Sequence, residues 1–232
     1  MIKNKELKTN LITYFVLLEL SLLLTILLID GEIKVYCFAA VLLAFAASFM
    51  FFNLKEKSYL THVAMLFTVI ADIFLVLVEP QMRGLAMTSF SVTQIMYFVR
   101  ILLETPNKKI RLANIITLVC LVTIAEVATI IVIKDGMDYL ATISMFYYST
   151  IITNVIFAFI NVKRNPLLAV GLLLFLFCDT FVGLEVMSSS YLSLNSSSII
   201  YKLLQVDFNF VWFFYVPSQT LIALSLNKKV SK

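Results

Sequence analysis

The chain has 232 residues, of which 61% are hydrophobic and 14% are charged, and its formal net charge is +4. A water-soluble domain carries about 25% charged residues, so this composition excludes an ordinary soluble protein and predicts a membrane protein. The positive charge lies between apolar runs and forms no basic patch with interleaved aromatic residues, so no nucleic-acid partner is expected.

Eight apolar stretches follow one another along the chain, each close to the length of about 20 residues that a helix needs to cross a bilayer. Turn and helix-stop signals separate them, among them Asp30-Gly31, Pro80 and Asp135-Gly136. The sequence therefore predicts an all-α fold, a single transmembrane domain over 1–232 with eight transmembrane helices. These helices are expected at 11–29, 34–53, 59–78, 85–103, 113–133, 139–161, 167–187 and 204–226.

Lysine and arginine are distributed unevenly over the connections between these stretches. Thirteen of the 18 lie in the two terminal segments and in the second, fourth and sixth connections, against four on the opposite side. The positive-inside rule then predicts that the N- and C-termini are both cytoplasmic. Because the termini are rich in lysine and asparagine, we expect a bacterial source and hence a multi-pass protein of the bacterial cytoplasmic membrane.

The two halves of the chain share features at nearly one offset. Glu19 precedes Glu126 by 107 residues, and Asp72 precedes Asp179 by the same number. These offsets predict two parallel four-helix repeats with halves 1–109 and 110–232, although helices of similar length also give such spacings by chance. Further matched features are Asp30-Gly31 with Asp135-Gly136, and Asn53 with Asn161.

Four carboxylates lie well inside predicted helices, namely Glu19, Asp72, Glu126 and Asp179. A charge at the bilayer centre costs about 2.5–3.5 kcal/mol on insertion scales, so the presence of each carboxylate inside a predicted helix requires an explanation. Asp72 and Asp179 lie about 21 and 18 Å from the starts of their helices, hence at similar depth. A pair of carboxyl groups at one depth can act as acid and base, one donating a proton and the other accepting one from water. Hydrogen bonding between helices is the alternative, and it is the simpler interpretation for Glu19 and Glu126.

Polar side chains on the fourth and eighth stretches are candidates to line the same site. Gln94 and Tyr97 are three residues apart, and Tyr215 and Gln219 are four apart, so each pair shares a helix face. We interpret them, with Glu19 and Glu126, as substrate-binding residues, the alternative again being hydrogen bonds between helices. No metal or cofactor is expected, because one histidine and three scattered cysteines form no ligand set.

Three motifs carry a resemblance to a known family. They are Asp72 followed by Arg83-Gly84-Leu85, Gly171 followed by Asp179, and Tyr215 with Gln219. In helix count, length and motif order the chain resembles the YhhN/TMEM86 family, whose characterised members are lysoplasmalogenases. Ala71, Cys178 and Gln94 stand where that family usually has Gly, Ser and His.

The resemblance implies an enzyme that cleaves the vinyl-ether bond of a lysoplasmalogen with water, giving a fatty aldehyde and a glycerophospho-head group. Asp72 and Asp179 would be the acid–base pair, and the expected partners are a lysophospholipid substrate and membrane lipid. Two other functions stay open, a small-molecule or proton-coupled transporter and a non-catalytic lipid-binding membrane protein. Transporters also combine duplicated helical halves with carboxylates inside the membrane.

Overall fold

The computed structural model describes residues 2–29, 31–51, 59–78, 82–132, 138–190 and 199–227, and these residues contain helices and no strand. A 3₁₀ turn, Phe49–Phe51, follows the second helix, and a π-helical segment, Ile73–Val78, continues the third. The predicted all-α class is therefore confirmed. The helices are α1 (Ile2–Leu28), α2 (Lys34–Ser48), α3 (Tyr59–Asp72), α4 (Arg83–Glu104), α5 (Lys108–Val132), α6 (Tyr139–Ile160), α7 (Pro166–Ser190), α8 (Ile199–Leu204) and α9 (Phe210–Leu224).

Within the described residues, six helical segments are long and apolar enough to cross a membrane. Two further apolar helices, α2 and α9, have 15 residues each. A multi-pass membrane protein is therefore confirmed, while the count of eight spans and the side of the termini stay predictions. The six segments are Leu7–Leu28, Tyr59–Val78, Arg83–Glu104, Lys108–Val132, Tyr139–Ile160 and Pro166–Val186.

The last apolar stretch departs from the prediction of one helix over 204–226. The short helix α8 ends at Leu204, the chain bends, and α9 begins only at Phe210. Asn209 explains the break, because its side-chain oxygen accepts a hydrogen bond from the backbone nitrogen of Trp212 at 3.2 Å. Asparagine favours this N-cap geometry over a position inside a helix, which a count of apolar residues does not register.

Two other helix starts follow the same chemistry. Asp138 caps α6 by accepting a hydrogen bond from the backbone nitrogen of Ala141 at 2.7 Å. Asn165 does the same for Leu168 at 3.2 Å, and Pro166 occupies the first position of α7, where its missing N–H costs nothing. The predicted starts of these two helices are correct to within one residue.

Helices α3, α4, α6, α7 and α9 pack together around the buried core of the bundle. The hydroxyl of Thr93 in α4 donates to the carbonyl oxygen of Ala64 in α3 at 3.1 Å. Arg100, later in α4, donates to Thr61, earlier in α3, so these two helices run antiparallel.

Between α7 and α9 the backbones approach so closely that a Cβ at Gly171 would lie 2.8 Å from Cγ1 of Ile222. Ser218 of α9 donates to the carbonyl oxygen of Gly171 at 2.9 Å. Such close approach at small residues is typical of helix pairs in membranes.

The peripheral helices have fewer neighbours. Helix α1 packs against α2 and α9, and α5 packs against α6. A twofold axis that relates the two predicted halves would exchange α4 with α9 and α6 with α2. The contact between α4 and α6 would then correspond to the contact between α9 and α2, and the structure contains both. The duplication itself stays a prediction, and four of its marker residues, Asp30, Asn53, Asp135 and Gly136, lie outside the described residues.

Candidate functional site

Each of the two intramembrane aspartates accepts a hydrogen bond from a tyrosine of another helix. The hydroxyl of Tyr215 in α9 donates to Oδ2 of Asp72 in α3 at 2.5 Å. The hydroxyl of Tyr147 in α6 donates to Oδ2 of Asp179 in α7. Asp72 is buried and Asp179 is partly exposed. Four helices thus supply two matching carboxyl–phenol pairs.

An aromatic chain connects the two tyrosines across the bundle. The ring centroids of Tyr147 and Phe90 are 5.9 Å apart, those of Phe90 and Phe175 are 6.0 Å apart, and those of Phe175 and Tyr215 are 5.5 Å apart. Tilted and edge-on pairs at these separations are favourable packing geometries. Asp72 and Asp179 lie within the range of a mutual electrostatic interaction. That the two carboxyl groups form one catalytic site stays a prediction.

The backbone beside Asp72 is unusual. Asp72 is the last α-helical residue of α3, and the π-helical segment Ile73–Val78 begins directly after it. A π-helix leaves one extra residue in each turn, and such segments often occur at functional sites. Asp72 is thus placed where regular helix ends and a wider turn begins.

Two buried glutamines flank the carboxyl–phenol pairs. The side chain of Gln94 in α4 faces the hydroxyl of Tyr147, and its Oε1 accepts from Nδ2 of Asn154 in α6 at 3.0 Å. Both amide atoms of Gln219, one turn beyond Tyr215 in α9, have no hydrogen-bond partner among the described residues. The site therefore holds polar atoms that no described protein atom satisfies.

Tyr97 and Arg100 lie further along α4 towards its C-terminal end. The Tyr97 hydroxyl is buried and has no hydrogen-bond partner among the described residues. The Arg100 guanidinium, which is 0% exposed, pairs with Glu104 at 3.2 Å and donates to Thr61 in α3. Because Thr61 precedes Asp72 by 11 residues, about 16 Å of helix separates Arg100 from the carboxyl pair. Arg100 thus links helices near the start of α3 and lies apart from the carboxyl pair.

Glu19 and Glu126 are not brought to the carboxyl pair by any described contact. Glu19 is buried in α1, which packs on α2 and α9, and its Oε1 has no hydrogen-bond partner among the described residues. Glu126 is partly exposed on α5, which packs against α6. Of the predicted substrate-binding residues, Tyr215 contacts Asp72 directly, and Gln94 contacts Tyr147, the partner of Asp179.

Two residues that the sequence interpretation missed complete the site. Tyr147 donates to Asp179, and Asn154 donates to Gln94 through two bonds, to the side-chain oxygen and to the backbone carbonyl at 2.9 Å. Both belong to a polar row in α6 at helical spacing, with Thr150 between them. A polar row in an otherwise apolar helix is a detectable signal, because helix residues three and four apart share a face.

A scan against protein-family models gives one assignment for most of the chain. The model of the YhhN family matches residues 33–226. The chain belongs to the YhhN family. A search of curated proteins and a search of solved structures returned no significant match.

The matched region covers α2 to α9 and therefore both aspartates, both tyrosine partners and both glutamines of the site. Helix α1, with Glu19, precedes it. The resemblance noted from three short motifs is thus confirmed at the level of the family.

The arrangement suits acid–base chemistry in an apolar setting. Two carboxyl groups within electrostatic range can hold one proton between them, since like charges at close distance disfavour double ionisation. Among the described residues, no three His, Cys, Asp or Glu side chains gather so as to hold a metal ion. The groups present can donate a proton, accept a proton and hydrogen-bond a polar substrate.

Proposed function

We propose that this YhhN protein is a membrane-embedded hydrolase that cleaves the vinyl-ether bond of lysoplasmalogens. The observation that carries the proposal is the pair of carboxyl groups, Asp72 and Asp179, each held by a tyrosine of another helix. Vinyl-ether hydrolysis requires one proton donor and one proton acceptor, and this pair supplies both.

In the proposed reaction, the protonated carboxyl delivers its proton to the alkenyl carbon that is not bonded to oxygen. Positive charge develops on the neighbouring carbon and its ether oxygen. The ionised carboxylate takes a proton from water while the water oxygen bonds to that charged carbon, which gives a hemiacetal.

The hemiacetal then collapses. Its carbon–oxygen bond to the glycerol breaks, and the carboxyl that had accepted a proton returns it to the leaving oxygen. The carboxylate that had donated the first proton takes the hydroxyl proton of the hemiacetal. The products are a fatty aldehyde and a glycerophospho-head group, and both carboxyl groups regain their starting states.

The tyrosines have a positioning role in this scheme. The hydroxyls of Tyr215 and Tyr147 each occupy one oxygen of an aspartate, which leaves the second oxygen of each carboxyl to face substrate or water. Such a hydrogen bond contributes about 1.5–3 kcal/mol when the carboxyl is ionised and about 0.5–1.5 kcal/mol when it is protonated, which favours one carboxyl orientation in either state.

The test uses purified protein in detergent with alkenyl lysophosphatidylethanolamine and a fatty-aldehyde readout. We expect aldehyde from the unmutated chain, and a loss of at least about 10³-fold in Asp72→Asn and in Asp179→Asn, because an amide neither donates nor accepts the required proton. Asp207→Asn is the matched control, since Asp207 is exposed in the connection before α9.

The outcomes separate the proposed hydrolase from its alternatives. Full activity in Asp72→Asn or Asp179→Asn, with normal thermal melts, would contradict the acid–base assignment. Lipid that crosses a proteoliposome membrane unchanged would favour a transporter. Tight lipid binding without aldehyde would favour a non-catalytic lipid-binding protein.

We further propose that α2 and α9 also span the membrane, which gives eight spans with both termini in the cytoplasm of a bacterial cell. A 15-residue helix is about 22 Å long, shorter than the hydrocarbon core of about 30 Å. The 3₁₀ turn after α2 and the two-residue turn after α9 lengthen both. The lysine and arginine distribution supports the orientation.

A further inference from the structure

The amide of Gln219 lacks any hydrogen-bond partner among the described residues, although the residue is only 2% exposed. Both amide atoms, the donor Nε2 and the acceptor Oε1, are in this state. Leaving a buried donor or acceptor unsatisfied costs about 1–3 kcal/mol for each group. A buried amide of this kind calls for partners beyond the described side chains, and a bound group that both donates and accepts a hydrogen bond would satisfy both of its atoms.

The position of Gln219 relates it to the reacting atoms. It follows Tyr215 by four residues, so the two side chains share a face of α9 about 6 Å apart along the axis. The Tyr215 hydroxyl reaches Asp72. On the other side, Gln94 of α4 faces Tyr147, which reaches Asp179. The Gln219 amide thus lies one helical turn from a residue that holds Asp72.

The chemistry of the partner follows from the atoms that need satisfying. An ether, ester or phosphodiester oxygen only accepts hydrogen bonds and would leave Oε1 of Gln219 unsatisfied. A hydroxyl group donates and accepts, and it satisfies both amide atoms. In a lysoplasmalogen such a hydroxyl lies on the glycerol carbon next to the one that carries the vinyl ether.

We propose that Gln219 binds the free hydroxyl on the middle glycerol carbon and thereby selects lipids with a single chain. The inference rests on the proposed hydrolase function and adds the residue that recognises the substrate hydroxyl. A second acyl chain at that carbon would replace the donor by an ester and add bulk. A site built to hydrogen-bond a hydroxyl rejects an analogue without it by as much as about 10⁴–10⁵-fold.

The experiment compares alkenyl lysophosphatidylethanolamine with its deoxy analogue, in which the middle hydroxyl is replaced by hydrogen. Each lipid is assayed with the unmutated chain and with Gln219→Met, which keeps the side-chain length and removes both polar atoms. We expect kcat/KM of the unmutated chain to favour the hydroxyl lipid by at least about 10²-fold. In Gln219→Met this preference should fall to within a few-fold, with the rate on the deoxy analogue little changed.

Three controls test whether the change in preference comes from the Gln219 amide. Gln205→Met makes the same change at an exposed glutamine, and it should leave the preference intact. Gln219→Asn keeps the amide on a shorter stem and should give an intermediate preference, which guards against a Met variant that does not fold. Thermal melts with each lipid measure binding without turnover, and the hydroxyl lipid should raise the Tm more than the deoxy analogue.

Two results would overturn the inference while the hydrolase stands. One is equal kcat/KM for the two lipids with the unmutated chain. The other is an equal loss on both lipids in Gln219→Met, which would mean that the amide holds water or structure instead of the substrate hydroxyl. Absence of aldehyde from the unmutated chain contradicts the proposed function, and the melts then decide the hydroxyl preference separately.

Discussion

At the scale of single residues, the site depends on phenol hydroxyls that fix carboxyl groups in an apolar bundle. Tyr215 and Tyr147 come from helices that are distant in sequence from Asp72 and Asp179, so neither pairing is visible from local spacing. The aromatic chain through Phe90 and Phe175 holds both tyrosine rings in place. The hydroxyls can therefore be tested separately from the packing of the rings.

Tyr215→Phe should lower the rate of aldehyde release by about ten- to hundredfold. The change keeps the ring and removes only the hydrogen bond to Asp72, which leaves a buried carboxyl oxygen without its donor at a cost of about 1–3 kcal/mol. The Tm should fall while the protein stays folded at the assay temperature, and Tyr14→Phe, at a site 65% exposed, should be neutral in both assays. An unchanged kcat in Tyr215→Phe would contradict the positioning role.

At the scale of elements, the sequence predicted most helices because their apolar runs are long and well separated by turn signals. It predicted α6 and α7 closely, since Asp138, Asn165 and Pro166 are recognisable start signals. It missed the break before α9 because Asn209 lies inside an apolar run.

The candidate site was only partly predictable. The cost of charge in a membrane marks Asp72 and Asp179 from sequence alone, and helical spacing groups Tyr215 with Gln219. Tyr147 was missed because its role depends on which helices pack together, and a pattern along one helix does not contain that information. Glu19 and Glu126 share the chemical signal of the aspartates, yet they lie on peripheral helices.

The contact between α7 and α9 gives a prediction at this scale. Gly171→Ala should lower the Tm, because the added methyl would lie 2.8 Å from Ile222 and overpacking of this kind typically costs about 1–3 kcal/mol. Gly183→Ala in the same helix is the matched control. Nothing lies within 4 Å of its added Cβ, so it should leave the Tm unchanged or raise it. Equal melts for the two variants would contradict the close approach.

At the scale of the whole molecule, the bundle has a core of five helices with α1, α2 and α5 around it. If the proposed eight spans are correct, both ends of the chain lie on one side of the membrane. The partly exposed Asp179 and the exposed connection before α9 then lie towards the opposite side.

A fusion experiment tests this topology. Green fluorescent protein at the C-terminus should fluoresce, and alkaline phosphatase at the same position should be inactive, because the former folds in the cytoplasm and the latter outside it. Alkaline phosphatase placed after Asp207, in the connection before α9, should be active. The reverse pattern would contradict the orientation, and activity at both positions would contradict the span at α9.

The π-helical segment after Asp72 also changes the rotation of the residues that follow it about the helix axis, relative to the residues before it. One extra residue turns everything beyond it by about 100° relative to a regular helix. The side chains of Ile73–Val78 are therefore rotated relative to the carboxyl that precedes them, compared with a regular helix. Deleting one residue from this segment should rewind the turn and rotate the residues that follow the deletion, while Asp72, which precedes it, keeps its own direction. A change in this segment can thus turn the residues after Asp72 without changing the direction of the acid itself.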